Sequence, residues 1–277
     1  MPDFTTTIKV AEIARRGGRM VDGERFVPEE TPIAFSYAGS THAVMMATPA
    51  DLEDFAVGFS LTEGIVAGPD EIEAIEVVAE DRGIDVQVRL ADASNDALVA
   101  RRRHMAGPVG CGLCGIESIE QAVRVTPSVR SSALTLSEEE IVEAVHLLNG
   151  QQPLHGTTRA VHGAGFYVPA QGLVAVREDV GRHNALDKLV GAARRAGHEG
   201  AAGAVVVTSR VSVEMVQKTA IVGSPFIIAI SAPTALAIRT AEEAGMTLIA
   251  LVRGDEFEIF TGAGRIVSGA TRQAGSR

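Results

Sequence analysis

From residue 204 onward the chain alternates short strand-like runs with amphipathic stretches, and few folds tolerate that order. Ala204 to Thr208, Phe226 to Ile230 and Thr247 to Val252 read as strands. Val213 to Val222 and Pro233 to Ala244 read as the helices between them. A strand that returns through a helix to its neighbour must run parallel to it, with the helix on a sheet face. We therefore expect an α/β fold whose C-terminal domain, residues 131–277, is a three-layer unit around a largely parallel sheet.

Upstream, Leu136 to Leu148 predicts a helix opened by Ser137 with Glu140 three residues later, a capping-box spacing. A hairpin from about His162 to Arg177 follows, then a helix from Gly181 to Ala196 with Ala185, Leu186, Leu189, Val190 and Ala193 on one face. The N-terminal part, residues 1–130, reads as a smaller α+β domain. Thr31 to Tyr37 and Thr41 to Ala47 pair around Gly39-Ser40, and Glu73 to Val78 and Ile84 to Leu90 pair around Asp81-Arg82-Gly83. Between these pairs a helix starts near Thr48, with Thr48 or Asp51 as its cap and Phe55, Phe59 and Leu61 as its packing face. The Gly- and Pro-rich stretch from Arg101 to Ser132 holds the domain boundary.

Charge narrows the function. A formal net charge of −10 argues against a broad nucleic-acid surface, although it leaves room for a local basic pocket. The first twenty residues lack an apolar signal segment, and no stretch is long enough to span a bilayer, so a cytoplasmic protein without membrane contact is expected. In that compartment two cysteines point to thiol chemistry or metal binding more than to a structural disulfide.

Those cysteines, Cys111 and Cys114, sit among Gly110, Gly112 and Gly115, in a loop that can move and approach a partner closely. Four readings fit such a pair. A structural zinc site wants four ligands, so this chain would need two of its seven histidines to complete one. A thioredoxin-type disulfide belongs at a strand-to-helix junction, not in a Gly-rich connector. Incidental cysteines are a liability when exposed. A sulfur-carrying or nucleophilic role is the favoured reading, and Arg101, Arg102, Arg103 and His104 could lower a thiol pKa if they face it.

Two further constellations suit an anion. The three C-terminal strands run into Ser209-Arg210-Val-Ser212, Ser231-Ala-Pro-Thr234 and Arg253-Gly254-Asp255. Ligands of open α/β sheets bind at those strand ends, and Ser212 and Thr234 would lie at helix N-termini. Simple helix caps and solvated arginines would give the same residues. The stretch Arg177-Glu178-Asp179-Val-Gly181-Arg182-His183-Asn184-Ala-Leu-Asp187-Lys188 places His183 with Asp187, and Asn184 with Lys188, on shared helix faces. A plain surface helix would carry such charges too.

Taken together, these motifs resemble the formate dehydrogenase accessory sulfurtransferases, the FdhD/NarQ family, over roughly residues 30 to 262. Thr48-Pro49-Ala-Asp51-Leu-Glu53-Asp54-Phe55 and Gly58-Phe59-Ser-Leu-Thr62-Glu63-Gly64 add to the likeness. One departure is Thr158-Arg159 ahead of His162, where the family has a Thr-Gly pair. The resemblance implies a sulfur carrier, an enzyme working through a cysteine persulfide. A cysteine desulfurase would load Cys111, with Cys114 in support, and the sulfur would pass to the bis-guanine-dinucleotide molybdenum cofactor for formate dehydrogenase. It also implies a homodimer, a cytidine-deaminase-like C-terminal fold, and cofactor contacts along Leu251, Val252, Arg253, Gly254, Asp255 and Glu256. Ser209, Arg210, Ser212, Ser231, Thr234, Arg182 and His183 complete the expected cofactor surface, and GDP is the expected mimic. The deaminase likeness concerns fold only, because the zinc-binding His-x-Glu and Pro-Cys-x-x-Cys elements are missing, and no metal site is expected. The competing function is a non-catalytic cofactor chaperone whose cysteines bind metal or hold the loop.

Overall fold

The computed structural model describes residues 4–95, 98 and 125–267. The cysteine loop, with Cys111 and Cys114, lies outside the described residues.

The chain opens with a two-stranded antiparallel ribbon, β1 (Thr7–Arg16) and β2 (Arg19–Pro28), turned by Gly17 and Gly18. Nothing in the sequence reading anticipated it, because its apolar residues are scattered among charges on both faces. A four-stranded sheet follows, from β3 (Thr31–Tyr37), β4 (Ser40–Ala47), β5 (Ile72–Glu80) and β6 (Gly83–Leu90), in the order β4-β3-β6-β5. Alternation buries Ile33, Phe35 and Tyr37 of β3 and Ile84, Val86, Val88 and Leu90 of β6 on one face. Helix α1 (Leu52–Thr62) packs there, with Phe59 stacked on Phe35 at 4.7 Å and Phe55 meeting its edge at 4.8 Å.

The second sheet has six strands. These are β8 (His162–Val168), β9 (Gly172–Asp179), β10 (Ala204–Val207), β11 (Phe226–Ala229), β12 (Thr247–Arg253) and β13 (Glu256–Thr261), in the order β13-β12-β11-β10-β8-β9. The expectation of a largely parallel sheet is corrected here. Only β10–β11 and β11–β12 pair in parallel, while β13, β8 and β9 join antiparallel. The parallel βαβαβ run is real, but hairpin connections add strands on both sides of it, and a hairpin can only return antiparallel.

Strand alternation divides the faces. Ala204, Val206, Phe226, Ile228 and Ile249 pack against helix α2 (Glu138–Gly150). Val205, Val207, Ile227, Ala229 and Leu248 pack toward α4 (Arg182–Arg195), α5 (Val213–Ile221) and α6 (Ala235–Ala244). One contiguous apolar cluster runs from this second face through α4 and α1 to β3 and β6. The short helix α3 (Pro153–Thr158) lies between α2 and β8 in the chain, and β7 (Leu136–Ser137) pairs with β14 (Ile266–Val267).

Two local expectations shift. The α2 helix begins at Glu138, since Leu136 and Ser137 are drawn into a strand, yet Ser137 and Glu140 form the expected reciprocal capping box. Neither Thr48 nor Asp51 caps α1. Asp51 stands at the N-cap in a left-handed conformation (φ 54°) with no capping bond, and Thr48 is committed elsewhere.

Helices α1 and α4 meet at glycines. A Cβ on Gly58 would stand 1.7 Å from the Asp187 carbonyl oxygen, and one on Gly191 would stand 1.8 Å from that of Asp54. Backbone therefore touches backbone, and the two helices are close enough for short side chains to bond across them.

Candidate functional site

The carboxyl ends of β10, β11 and β12 lie side by side, and three helices begin beside them. Ser212 is the N-cap of α5, Thr234 caps α6 by accepting from the Ala237 amide at 3.2 Å, and Gly181 opens α4. The loops after β10 and β11 are tied by a parallel bridge between Val211 and Pro233 and by the Thr234 amide donating to the Val211 carbonyl. His162, at the start of antiparallel β8, joins this edge because β8 begins where β10 ends.

The segment Arg177 to Lys188 feeds both this edge and the core behind it, and its residues split cleanly. Arg177 forks onto Asp54 of α1 at 2.6 and 2.8 Å. Glu178 accepts from the Leu154 and His155 amides at the start of α3. Asp179 accepts from the Thr48 and Gly181 amides and the Asn184 side chain, and pairs with Lys188 at 2.6 Å. Lys188 also donates to the Thr48 carbonyl, and the Thr48 hydroxyl accepts from the Val180 amide. Asp187 accepts from Thr62 and from Lys218 of α5, which bridges on to Glu63. Asn184, Asp187 and Lys188 are fully or nearly fully buried, so the surface-helix reading of this stretch is overturned. The reason is the α1–α4 approach, which seals that face of the helix.

Burial works against charge on Lys218, but Asp187 and Glu63 outweigh it and hold the lysine charged. Burial pushes the Asp187 carboxyl up, against the pull of Lys218. Such a pair is costly to desolvate and costly to break.

Arg182 and His183 are what the seam leaves over. Arg182, first residue of α4, makes no hydrogen bond or ion pair among the described residues, and its Nε is buried without a partner. His183 turns across to α5, with Nε2 at 2.7 Å from Glu214 Oε2 and 3.4 Å from Ser212 Oγ. The hydrogen bond from His183 holds the Glu214 carboxyl below its usual range, against partial burial and with help from Lys218 and Arg182. His162 is half-buried, and burial followed by the Arg182 charge pushes its pKa below 6.5. A guanidinium without a hydrogen bond among the described residues, a histidine and helix N-termini share one strand-end edge, the crevice position where open α/β sheets take ligands and a setting suited to an anion.

The predicted residues do not all converge. Arg182, His183 and Ser212 stand together, with Glu214 and His162 added by the structure. Ser231 is linked to the next stretch through its carbonyl, which accepts from the Leu251 amide at 3.4 Å. Ser209 is buried and bonds the neighbouring Arg210 carbonyl, while Arg210 is exposed. Leu251 takes a left-handed conformation (φ 57°) at a register break, Val252 is buried, and Arg253 pairs with Glu256 across the exposed Gly254-Asp255 turn. That turn extends beyond the ends of β10 and β11, and no hydrogen bond among the described residues joins Arg253 to Arg182. Glu214 escaped the sequence reading because a carboxylate in a first helical turn looks like an ordinary dipole partner.

Among the described residues no group of three or more His, Cys, Asp or Glu is placed to hold a metal, and no helix is long and apolar enough to cross a membrane. A separate cavity of about 470 Å³, lined by Phe4, Asp51, Leu52, Glu53 and Arg195 among others, shares no residue with the crevice.

Comparison with known proteins places these features in context. The profile of the FdhD/NarQ family matches residues 28–267. The sulfur carrier protein FdhD of Agrobacterium fabrum is 68% identical over 259 residues, covering 94% of this chain and 96% of that protein. Its counterpart from Brucella abortus is 58% identical over 258 residues, covering 93% and 96%. Among solved structures, a protein assigned as a formate dehydrogenase accessory protein in Desulfotalea psychrophila superposes with a TM-score of 0.75. It shares 26% identity and covers 95% of this chain and 100% of its own.

Proposed function

Because the chain belongs to the FdhD/NarQ family, we propose that it is a sulfur carrier serving formate dehydrogenase, receiving persulfide sulfur on Cys111 and passing it to a nucleotide-bearing molybdenum cofactor. The observation that carries this reading is the pairing of a two-cysteine glycine-rich loop with an anion-ready crevice on one chain. A carrier needs both, one to hold the sulfur and one to hold the acceptor.

The division of labour follows from chemistry. The Cys111 thiolate attacks the terminal sulfur of a desulfurase persulfide; the new S–S bond forms as the donor cysteine leaves as thiolate. Arg182, the N-termini of α4 and α5, and Ser212 would take phosphate oxygens of the cofactor's guanine dinucleotides, which are the substrate here. Arg253 and the Leu251–Glu256 turn would border the same ligand from β12. Arg forks suit both phosphate and the acceptor edge of guanine. The cytidine-deaminase-like character of the six-stranded unit and the division at residue 130 belong to the same proposal.

Intact-protein mass spectrometry after incubation with a cysteine desulfurase and free cysteine tests it. The wild-type chain becomes one sulfur atom heavier, and Cys111→Ser abolishes both that adduct and delivery of active formate dehydrogenase while leaving GDP binding in place. A wild-type chain that never gains sulfur marks a cofactor chaperone instead.

A further inference from the structure

The helix N-termini at the strand-end edge differ in charge. The first turns of α4 and α6 carry no acidic residue, whereas that of α5 carries Glu214. A carboxylate there repels a phosphate that the helix dipole would otherwise attract, so phosphate is drawn toward Arg182 and the start of α4. The crevice thus has a cationic side on α4 and an anionic side on α5.

Glu214 is fixed in place. Its Oε2 meets His183 Nε2 at 2.7 Å across the gap from α5 to α4, with both side chains partly exposed. The hydrogen bond from His183 holds the carboxyl below its usual range, so at neutral pH it is ionised and can only accept. A carboxylate offers about four acceptor sites, and His183 takes one of them. The carboxylates of the seam differ in this respect, because Glu178, Asp179 and Asp187 commit their oxygens to donors inside the fold. A ligand group that meets Glu214 must be a donor, and two adjacent donors would engage both of its oxygens.

That requirement sorts the nucleobases. Guanine presents two adjacent donors on one edge, N1–H and the 2-amino group. Adenine and cytosine place a ring lone pair beside their amino group, and uracil flanks its one N–H with carbonyls. A site built for two donors rejects a base that brings an acceptor, because charge then faces a lone pair.

We propose that Glu214 selects guanine, accepting N1–H on one carboxylate oxygen and the 2-amino group on the other, with His183 as the residue that positions it. This rests on the nucleotide reading of the crevice and adds to it the side chain that reads the base. Phosphate at Arg182 and base at Glu214 are then the two ends of one bound nucleotide.

Calorimetry of the whole chain with the diphosphates of guanosine, inosine, adenosine and xanthosine tests it. The wild type binds GDP on the order of tenfold or more tighter than inosine diphosphate, which lacks only the 2-amino group, and ADP more weakly still. Glu214→Gln weakens GDP by a similar factor and strengthens xanthosine diphosphate. The amide accepts N1–H and donates to the 2-oxo group that replaces the amine, an exchange of preference that a structural defect does not produce. Should that variant fail to fold, Glu214→Asp replaces it; the shorter side chain should weaken GDP and leave ADP unchanged. Equal wild-type affinities for GDP and inosine diphosphate overturn the proposal. So does a folded Glu214→Gln variant with the wild-type order of preference, or a Glu214→Asp variant that loses GDP and ADP alike. If Arg182→Ala weakens GDP but the bases are not distinguished, this inference fails alone. If GDP does not bind the wild type, the nucleotide reading of the crevice fails with it.

Discussion

The seam between α1, α4 and α5 and the crevice beside it draw on the same twelve residues, 177 to 188, yet treat their charges in opposite ways. In the seam every charge is answered. Asp179 has two backbone donors, an amide side chain and Lys188; Asp187 has Thr62 and Lys218. On the same helix, Arg182 has no hydrogen-bond or ion-pair partner among the described residues, and its Nε is buried. Burying a polar atom without a partner costs free energy, and a fold accepts that cost where something else is served. The difference teaches that motif membership alone does not identify a ligand site. Most of this motif builds the scaffold, and the unanswered member marks the opening.

The comparison can be broken most forcefully from the seam. Lys188→Met removes a fully buried charge and leaves the Asp179 carboxylate without its cation, which should cost about 3–5 kcal/mol in urea unfolding. A loss below about 1 kcal/mol would mean that the seam is far less dependent on its ion pairs than its geometry implies.

The crevice should show the reverse. Arg182→Ala gives up no hydrogen bond among the described residues, so stability should stay within about 1 kcal/mol of the wild type. Calorimetry with GDP should nonetheless show a ten- to hundredfold weaker affinity, roughly the value of one charge-assisted bond. Unchanged GDP affinity would move the ligand away from Arg182, toward Arg253 and its turn.

The smallest expected effect sharpens the boundary between the two regions. His162 has its pKa lowered by burial and by Arg182, so the unfolded chain protonates it first as pH falls. Stability from this group is fully present above about pH 6.5, declines as pH drops toward the folded value, and then levels off. Urea melts across that window, wild type against His162→Gln, should show the slope in the wild type alone. Equal slopes would mean that His162 titrates normally and that Arg182 does not press on it.

Much of the frame was legible from pattern. The β10-to-β12 run with α5 and α6, the Ser137–Glu140 box, and the Phe55 and Phe59 packing of α1 all appear where periodicity and capping chemistry put them. Ser212 and Thr234 do sit at helix N-termini. The β1–β2 arm was not legible, since its apolar residues alternate with charges on neither face consistently. Cys111 and Cys114 lie outside the described residues, so their place relative to the crevice is part of the proposal.

What sequence by itself determined is therefore local. Strand and helix periods, caps and turns depend on residues within a few positions of one another, and the chain states them directly. What tertiary structure alone decided is the meaning of each charge. Asp187 and Arg182 are five residues apart on one helix, and nothing in their spacing says that one meets Lys218, thirty-one residues on, while the other finds no hydrogen-bond partner among the described residues. The close approach of α1 to α4 at Gly58 and Gly191 seals one face of that helix. The strand ends leave its first turn open. Whether a charge is answered depends on what folding brings within about 3 Å of it, and local sequence does not encode that distance.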